Sequence, residues 1–168
     1  MGPIHQRADV LFALIGRDLE HEFVPFVRAT GTSLTVWSPL ASGFLTGKYT
    51  RDNPPTKEDR LSGPEFIPYD KELGFRLIDH LRVVGKAHGA SVAQIALAGL
   101  LAKPYVTSVI IGASKMSQLE DNLKAADLQL LQGELDKLDE ITAPPTLYPN
   151  WFPEKTVDPE HKRAVGAA

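Results

Sequence analysis

Apolar and polar positions change period several times along this chain, and each change marks an element. Asp9 to Ile15 (DVLFALI) is a short apolar run before Gly16-Arg17-Asp18. It reads as a buried strand leading to a helix start, with the Asp18 carboxylate placed to cap that helix. Leu19 to Ala29 carries Leu19, Phe23, Phe26 and Val27 at helical spacing. Pro25 inside that stretch predicts a kink or two short pieces, and Gly31 predicts the stop. Leu34 to Trp37 (LTVW) is β-branched, bounded by turn formers, and predicts a second buried strand. From Ser38 to Pro68 the periodicity disappears. The first part, to Lys48, is rich in glycine and small residues, and the remainder carries Pro54, Pro55, Pro64 and Pro68. A connection of that length is usually functional.

Helical spacing returns from Asp70 to Lys86 through Leu73, Leu77, Leu81 and Val84, and ends near Gly89. Ser91 with Gln94 forms a capping box for a helix from Val92 to Ala102, which Pro104 ends. Val106 to Ile111 (VTSVII) is the third strand candidate. Ser117 with Glu120 forms a second capping box opening a helix through Leu123, and Leu128 to Ile141 predicts a last amphipathic helix. The tail then carries Pro144, Pro145, Pro149, Pro153 and Pro159 and is expected to be irregular.

Strands alternating with helices imply parallel strands, because an antiparallel hairpin needs no helix between its arms. The reading is an α/β chain of the (β/α)8 barrel type, restricted to the C-terminal part of the barrel. A complete barrel takes roughly 250 residues, and this chain supplies about three of the eight strand–helix units. The expected organisation is a poorly defined segment over 1–8, a partial barrel domain over 9–142 and a proline-rich tail over 143–168. Three parallel strands outside a closed barrel expose backbone edges and apolar faces, so self-association or pairing with another half barrel is expected.

Composition narrows the function classes. With 168 residues and 43% hydrophobic content the chain is long enough for one real core. A formal charge of −3, with lysine and arginine spread along the chain, excludes a basic stripe for nucleic acid. No apolar run approaches the ~20 residues that span a bilayer, and Met1 to Ala8 lacks the apolar segment of a secretory signal. The chain has no cysteine, which fits a cytoplasmic setting, and its five histidines show no metal-ligand spacing.

Two segments carry chemistry. Residues 37–49 (WSPLASGFLTGKY) follow the second strand. An indole at a strand end can stack on a planar ring, small residues after it let backbone N–H groups approach a phosphate, and Lys48 adds a charge. Residues 111–122 (IGASKMSQLEDN) run from the third strand into a helix. Ser114 and Lys115 sit where a phosphate meets a helix N-terminus, and Gln118, Asp121 and Asn122 share one helical face that suits an adenosine. Each segment alone also fits a plainer reading, a surface loop with one core tryptophan and a capped helix with a solvated face. Together and in this order they are far more specific.

At these residues the chain resembles the aldo-keto reductase superfamily. The similarity runs from LIGRDLEHE (14–22) through the 37–49 segment and SVAQIALA (91–98) to VIIGAS (109–114) and on to Leu123. The resemblance implies NADP(H) extended across the C-terminal ends of the barrel strands. Trp37 would stack on the nicotinamide, and the loop through Ser38, Pro39, Leu40, Gly43 and Lys48 would wrap the pyrophosphate, with Arg60 as a further phosphate contact. Ser114 and Lys115 would hold the 2′-phosphate, with Gln118, Asp121 and Asn122 around the adenosine and Gly112 among the cofactor-binding residues. Family members reduce aldehydes or ketones with NADPH, using a tyrosine acid assisted by aspartate, lysine and histidine on the first four strands. None of those four is assigned here, because Tyr49, Tyr69, Tyr105 and Tyr148 all fall in or after the cofactor loop.

The small carbonyl substrate would therefore be turned over only if the other half were supplied. The alternatives are a non-catalytic NADP(H)-binding or regulatory module, and an inactive remnant. Trp151 and Phe152 would wall a substrate pocket or cover the barrel. Two positions depart from the family pattern: Asp9 stands where glutamine is usual beside the nicotinamide carboxamide, and Gly99 where tryptophan is common.

Overall fold

The middle strand alternates Ser33-Leu34-Thr35-Val36-Trp37, and that alternation organises the sheet. In the computed structural model, which describes residues 7–57, 59, 61 and 69–148, three strands pair in the order β1 (Arg7–Leu11), β2 (Ser33–Trp37) and β3 (Val106–Val109). Both pairings are parallel. Parallel neighbours need a crossover. Helix α1 (Phe23–Thr30) supplies it between β1 and β2, and α2 (Lys71–His88) with α3 (Val92–Leu101) supplies it between β2 and β3. Two further helices, α4 (Met116–Leu123) and α5 (Gln132–Thr142), follow β3.

Val10, Leu34 and Val36 enter the core, with Leu34 and Val36 fully buried, and they share it with Leu77, Ile78 and Leu81 of α2 and Ile95 and Leu100 of α3. The alternate positions form the opposite face. There Asp9 pairs in register with Thr35, and Thr35 with Ser108, so the middle row of that face is polar rather than apolar. Apolar exposure gathers instead at the carboxyl edge, where Trp37 is 42% and Ile110 47% exposed. A shift of register between Leu34 and Thr35 leaves Thr107 unmatched, a bulge that re-aims the end of β3.

Where sequence and structure differ, the cause is local. The run from Asp9 to Ile15 is not one strand: β1 ends at Leu11, and Phe12 to Gly16 form a buried turn closed by Gly16 and Ala13 exchanging backbone bonds. The strand also begins earlier, at Arg7. Asp18 caps no helix; it opens a single 3-10 turn, and Pro25 falls in the first turn of α1, where its missing N–H costs little. Gly31 does stop that helix, at φ 68. Helix α5 starts at Gln132 rather than Leu128, because Lys124 to Asp127 form a separate 3-10 turn. The Ser91–Gln94 capping box is present as expected. The N-terminal residues 1–6, Arg60, and the tail from Pro149, with Trp151 and Phe152, lie outside the described residues.

A polar cluster ties the turn after β1 to the end of α5. Arg17, 9% exposed, donates to both Glu20 oxygens at 2.7 and 2.8 Å, and through Nη1 to Asp139 at 2.7 Å and Thr142 at 2.8 Å. Tyr105 donates to Glu20 at 2.7 Å, and Lys103 donates to Asp139. Burial, together with the bond to Glu20, raises the Tyr105 hydroxyl well above the tyrosine range, so it stays a donor. The turn after β1, the entry to β3 and the end of α5 thus share one network.

Gly99 is filled in rather than left hollow: a Cβ there stands 3.2 Å from Leu138 and 3.5 Å from Leu14. Gly85 is tighter, its Cβ position lying 2.7 Å from the Ala90 carbonyl oxygen, which is backbone and cannot swing away. Gly85→Ala is expected to lower stability by about 2 kcal/mol, read as a lower midpoint in urea denaturation at unchanged slope.

Burial opposes the charge on Asp139, but Lys103 and Arg17 outweigh it and hold its pKa below the ordinary 3.8. A carboxylate depressed in the folded state contributes stability that is present above its unfolded value and is lost as pH falls through the folded one. Acid titration of stability is expected to show this loss below about pH 4. Asp139→Asn should be less stable at neutral pH and show a shallower acid limb.

Candidate functional site

Parallel pairing places the ends of β2 and β3 side by side. Trp37 closes β2 and pairs with Leu11, its carbonyl accepting from the Phe12 N–H at 3.2 Å. Next to it the Ile110 N–H donates to the Val36 carbonyl at 2.8 Å. The loop after Trp37 and the loop after Ile110 therefore leave one edge of the sheet from adjacent strands.

The first loop is a tight, left-handed path. Ser38, Ala41 and Ser42 have φ of 59, 47 and 56°, and Gly43 and Gly47 have 93 and 75°. Left-handed backbone costs a non-glycine residue about 1 kcal/mol, so three such residues persist only where the surroundings hold them. Ala41 and Gly43 donate N–H bonds to the Ser38 and Leu40 carbonyls at 3.0 and 2.9 Å, and Leu45 bonds the same Leu40 carbonyl at 3.1 Å. Arg82 of α2 holds the Gly47 carbonyl at 2.8 Å. Phe44 and Leu45 are buried anchors, Phe44 lying 4.9 Å from the Tyr69 ring and 5.3 Å from Phe75. Successive left-handed residues are the kind of backbone from which anion-binding concavities are built. At Gly43 nothing lies within 4 Å of where a Cβ would stand. Pro39 is buried, and Ser38 and Leu40 are half-buried.

Lys48 is exposed, bonds Asp59 at 3.0 Å and lies 4.4 Å from the Tyr49 ring centre. The Thr56 N–H, Lys48 and the Thr56 hydroxyl together hold the Asp59 carboxyl well below the carboxylate range. The lysine is thus already matched to an anion, and the segment after it folds back on the loop.

The second loop is open. Gly112 has nothing within 4 Å of its Cβ position, and Ser114 and Lys115 are exposed. Helix α4 begins at Met116 with Lys115 as its N-cap, not at a Ser117–Glu120 box. Gln118 takes the capping role, its Oε1 accepting from the Ser114 N–H at 3.1 Å and the Ser114 hydroxyl at 3.2 Å. Asp121 faces α3, where its two oxygens accept from Ser91 Oγ at 2.6 Å and Gln94 Nε2 at 2.7 Å, and Asn122 is buried at 7% exposure. The structure therefore sets Ser114, Lys115 and Gln118 at the surface and engages Asp121 in joining α4 to α3. Reading the 91–94 capping box only as a helix start missed that second use of Ser91 and Gln94.

The donor set suits a ligand with a planar ring and phosphates: an exposed indole, a left-handed loop, glycines facing free space, and lysines at both loops. Among the described residues no group of three or more histidine, aspartate or glutamate side chains is placed to hold a metal, and no helix is long and apolar enough to cross a membrane.

A parallel sheet with helical crossovers and its loops at the carboxyl edge defines an α/β chain of the (β/α)8 barrel class, present as an open part of the barrel. The chain belongs to the aldo/keto reductase family, whose model matches residues 9–143. A probable voltage-gated potassium channel subunit beta from Oryza sativa subsp. japonica is 36% identical over 84% of this chain and 44% of its own length. A probable aldo-keto reductase 1 from Glycine max is 30% identical over 77% of this chain and 37% of its own length. The crystal structure of a thermostable aldo-keto reductase in complex with the inhibitor epalrestat superposes with a TM-score of 0.56 at 26% identity, over 80% of this chain and 39% of the other. The chain thus spans less than half the length of these relatives.

Ser91→Ala removes the cap of α3 and a donor to Asp121 together. Equilibrium denaturation should show a loss of about 1–2 kcal/mol.

Proposed function

We propose that this chain is the NADP(H)-binding part of an aldo-keto reductase. The observation that carries the reading is the departure of both loops from one edge of the sheet, on neighbouring parallel strands. In this reading Trp37 stacks on the nicotinamide and the left-handed loop from Ser38 to Lys48 cradles the pyrophosphate. Ser114 and Lys115 take the 2′-phosphate and Gln118 borders the adenosine, while Asp121 anchors their helix to α3 and Asn122 is buried behind it. Gly112 keeps the approach open, and Arg60 adds a phosphate contact. Lys48 exchanges Asp59 for a phosphate oxygen, and Gln118 releases the Ser114 N–H to the ligand.

When bound, the cofactor supplies the hydride that reduces an aldehyde or ketone. This chain's residues position and screen it. No tyrosine here is assigned as the proton donor, and an acid is worth roughly 10² to 10⁴ in rate. Carbonyl reduction therefore needs the rest of the barrel, which supplies the acid and covers the open sheet, in a cytoplasmic setting. The likeness to a probable potassium channel beta subunit favours a second reading, a regulatory module that binds NADP(H) and senses its redox state.

Calorimetric titration tests the reading. NADPH is expected to bind more tightly than NADH. Ser114→Ala and Lys115→Ala should remove most of that preference, each weakening NADPH roughly tenfold, as for loss of a charge-assisted bond. Absence of binding by either dinucleotide would overturn the reading. Aldehyde-dependent loss of NADPH absorbance by the chain would favour catalysis over the regulatory module.

A further inference from the structure

Asp9 is exposed on the polar face of the sheet, the same face as Trp37. Its register partner is Thr35, two residues before Trp37, and Leu11, two residues after Asp9, pairs with Trp37 itself. Strand spacing of ~4.8 Å and a rise of ~3.3 Å per residue place the two Cα atoms roughly 8 Å apart. An ionised carboxylate accepts hydrogen bonds and cannot donate them. Its charge also acts on whatever ring lies against the indole.

The oxidised nicotinamide is a pyridinium cation and the reduced ring is neutral, while the phosphates and adenosine of the two forms are the same. We infer that Asp9 biases the site beside Trp37 toward the oxidised, cationic form of the dinucleotide. This rests on the proposed NADP(H) reading and adds a redox preference to it. A unit charge beside the indole, in a half-exposed site, changes affinity by roughly fivefold.

The test is the ratio of the NADPH to the NADP⁺ dissociation constant, measured calorimetrically on the parent chain, Asp9→Asn, Asp9→Ser and Asp9→Glu. Contacts common to the two forms cancel in that ratio. Both neutral variants are expected to lower it about fivefold, and the charge-keeping Asp9→Glu to hold it within about twofold. An unchanged ratio in either neutral variant that still binds both forms would overturn the inference and leave NADP(H) binding standing. If the parent binds neither form, the proposed function falls and this inference falls with it.

Discussion

Parallel pairing of β1, β2 and β3 is the constraint from which the rest of this structure follows. Parallel strands point their carboxyl ends the same way, so the segments after Trp37 and Ile110 have to leave from one edge. Parallel pairing also requires helical crossovers, and these supply the apolar surface that buries Leu34 and Val36. The geometry of the edge and the stability of the core therefore have a single origin. The Arg17 network reinforces this arrangement by tying the turn after β1 to the entry of β3 and the end of α5.

Periodicity made most of the elements legible. Three strands, their parallel relation, and the helices around Leu77, Ile95 and Leu138 follow from spacing and from turn formers such as Gly31 and Gly89. Phe12 to Ile15 were not legible as a turn, because a buried turn and a buried strand show the same unbroken apolar run. The start of α4 was misread for a related reason. Ser117 and Glu120 satisfy a capping pattern, but Gln118 reaches back to Ser114 and the N-cap is Lys115, two residues earlier. Which of two nearby caps is used depends on competition that spacing does not record.

The candidate site was legible as residue types and not as states. Composition showed that residues 38–48 are rich in glycine and small residues; it did not show that Ser38, Ala41 and Ser42 share the left-handed backbone with the glycines. Lys48 was visible as a cation, whereas its match to Asp59 depends on how the following segment folds back. Asp121 and Gln118 share a face with Asn122 in sequence, yet one binds α3, one caps its own helix and one is buried. Gly99 shows the same limit in the core, because Leu14 and Leu138, remote in sequence, occupy the space around it. The resemblance to aldo-keto reductases, carried by residues 14–22, 37–49, 91–98 and 109–114, anticipated the family that the comparison finds over residues 9–143.

In the proposed function a dinucleotide would span both loops, and nuclear magnetic resonance reports on such a contact residue by residue. Titration of the isotopically labelled chain with NADP⁺ is predicted to shift backbone amide signals in two clusters at once, residues 37–48 and residues 112–118, with a common midpoint. Shifts confined to one loop, or two clusters that saturate at different concentrations, would contradict the account.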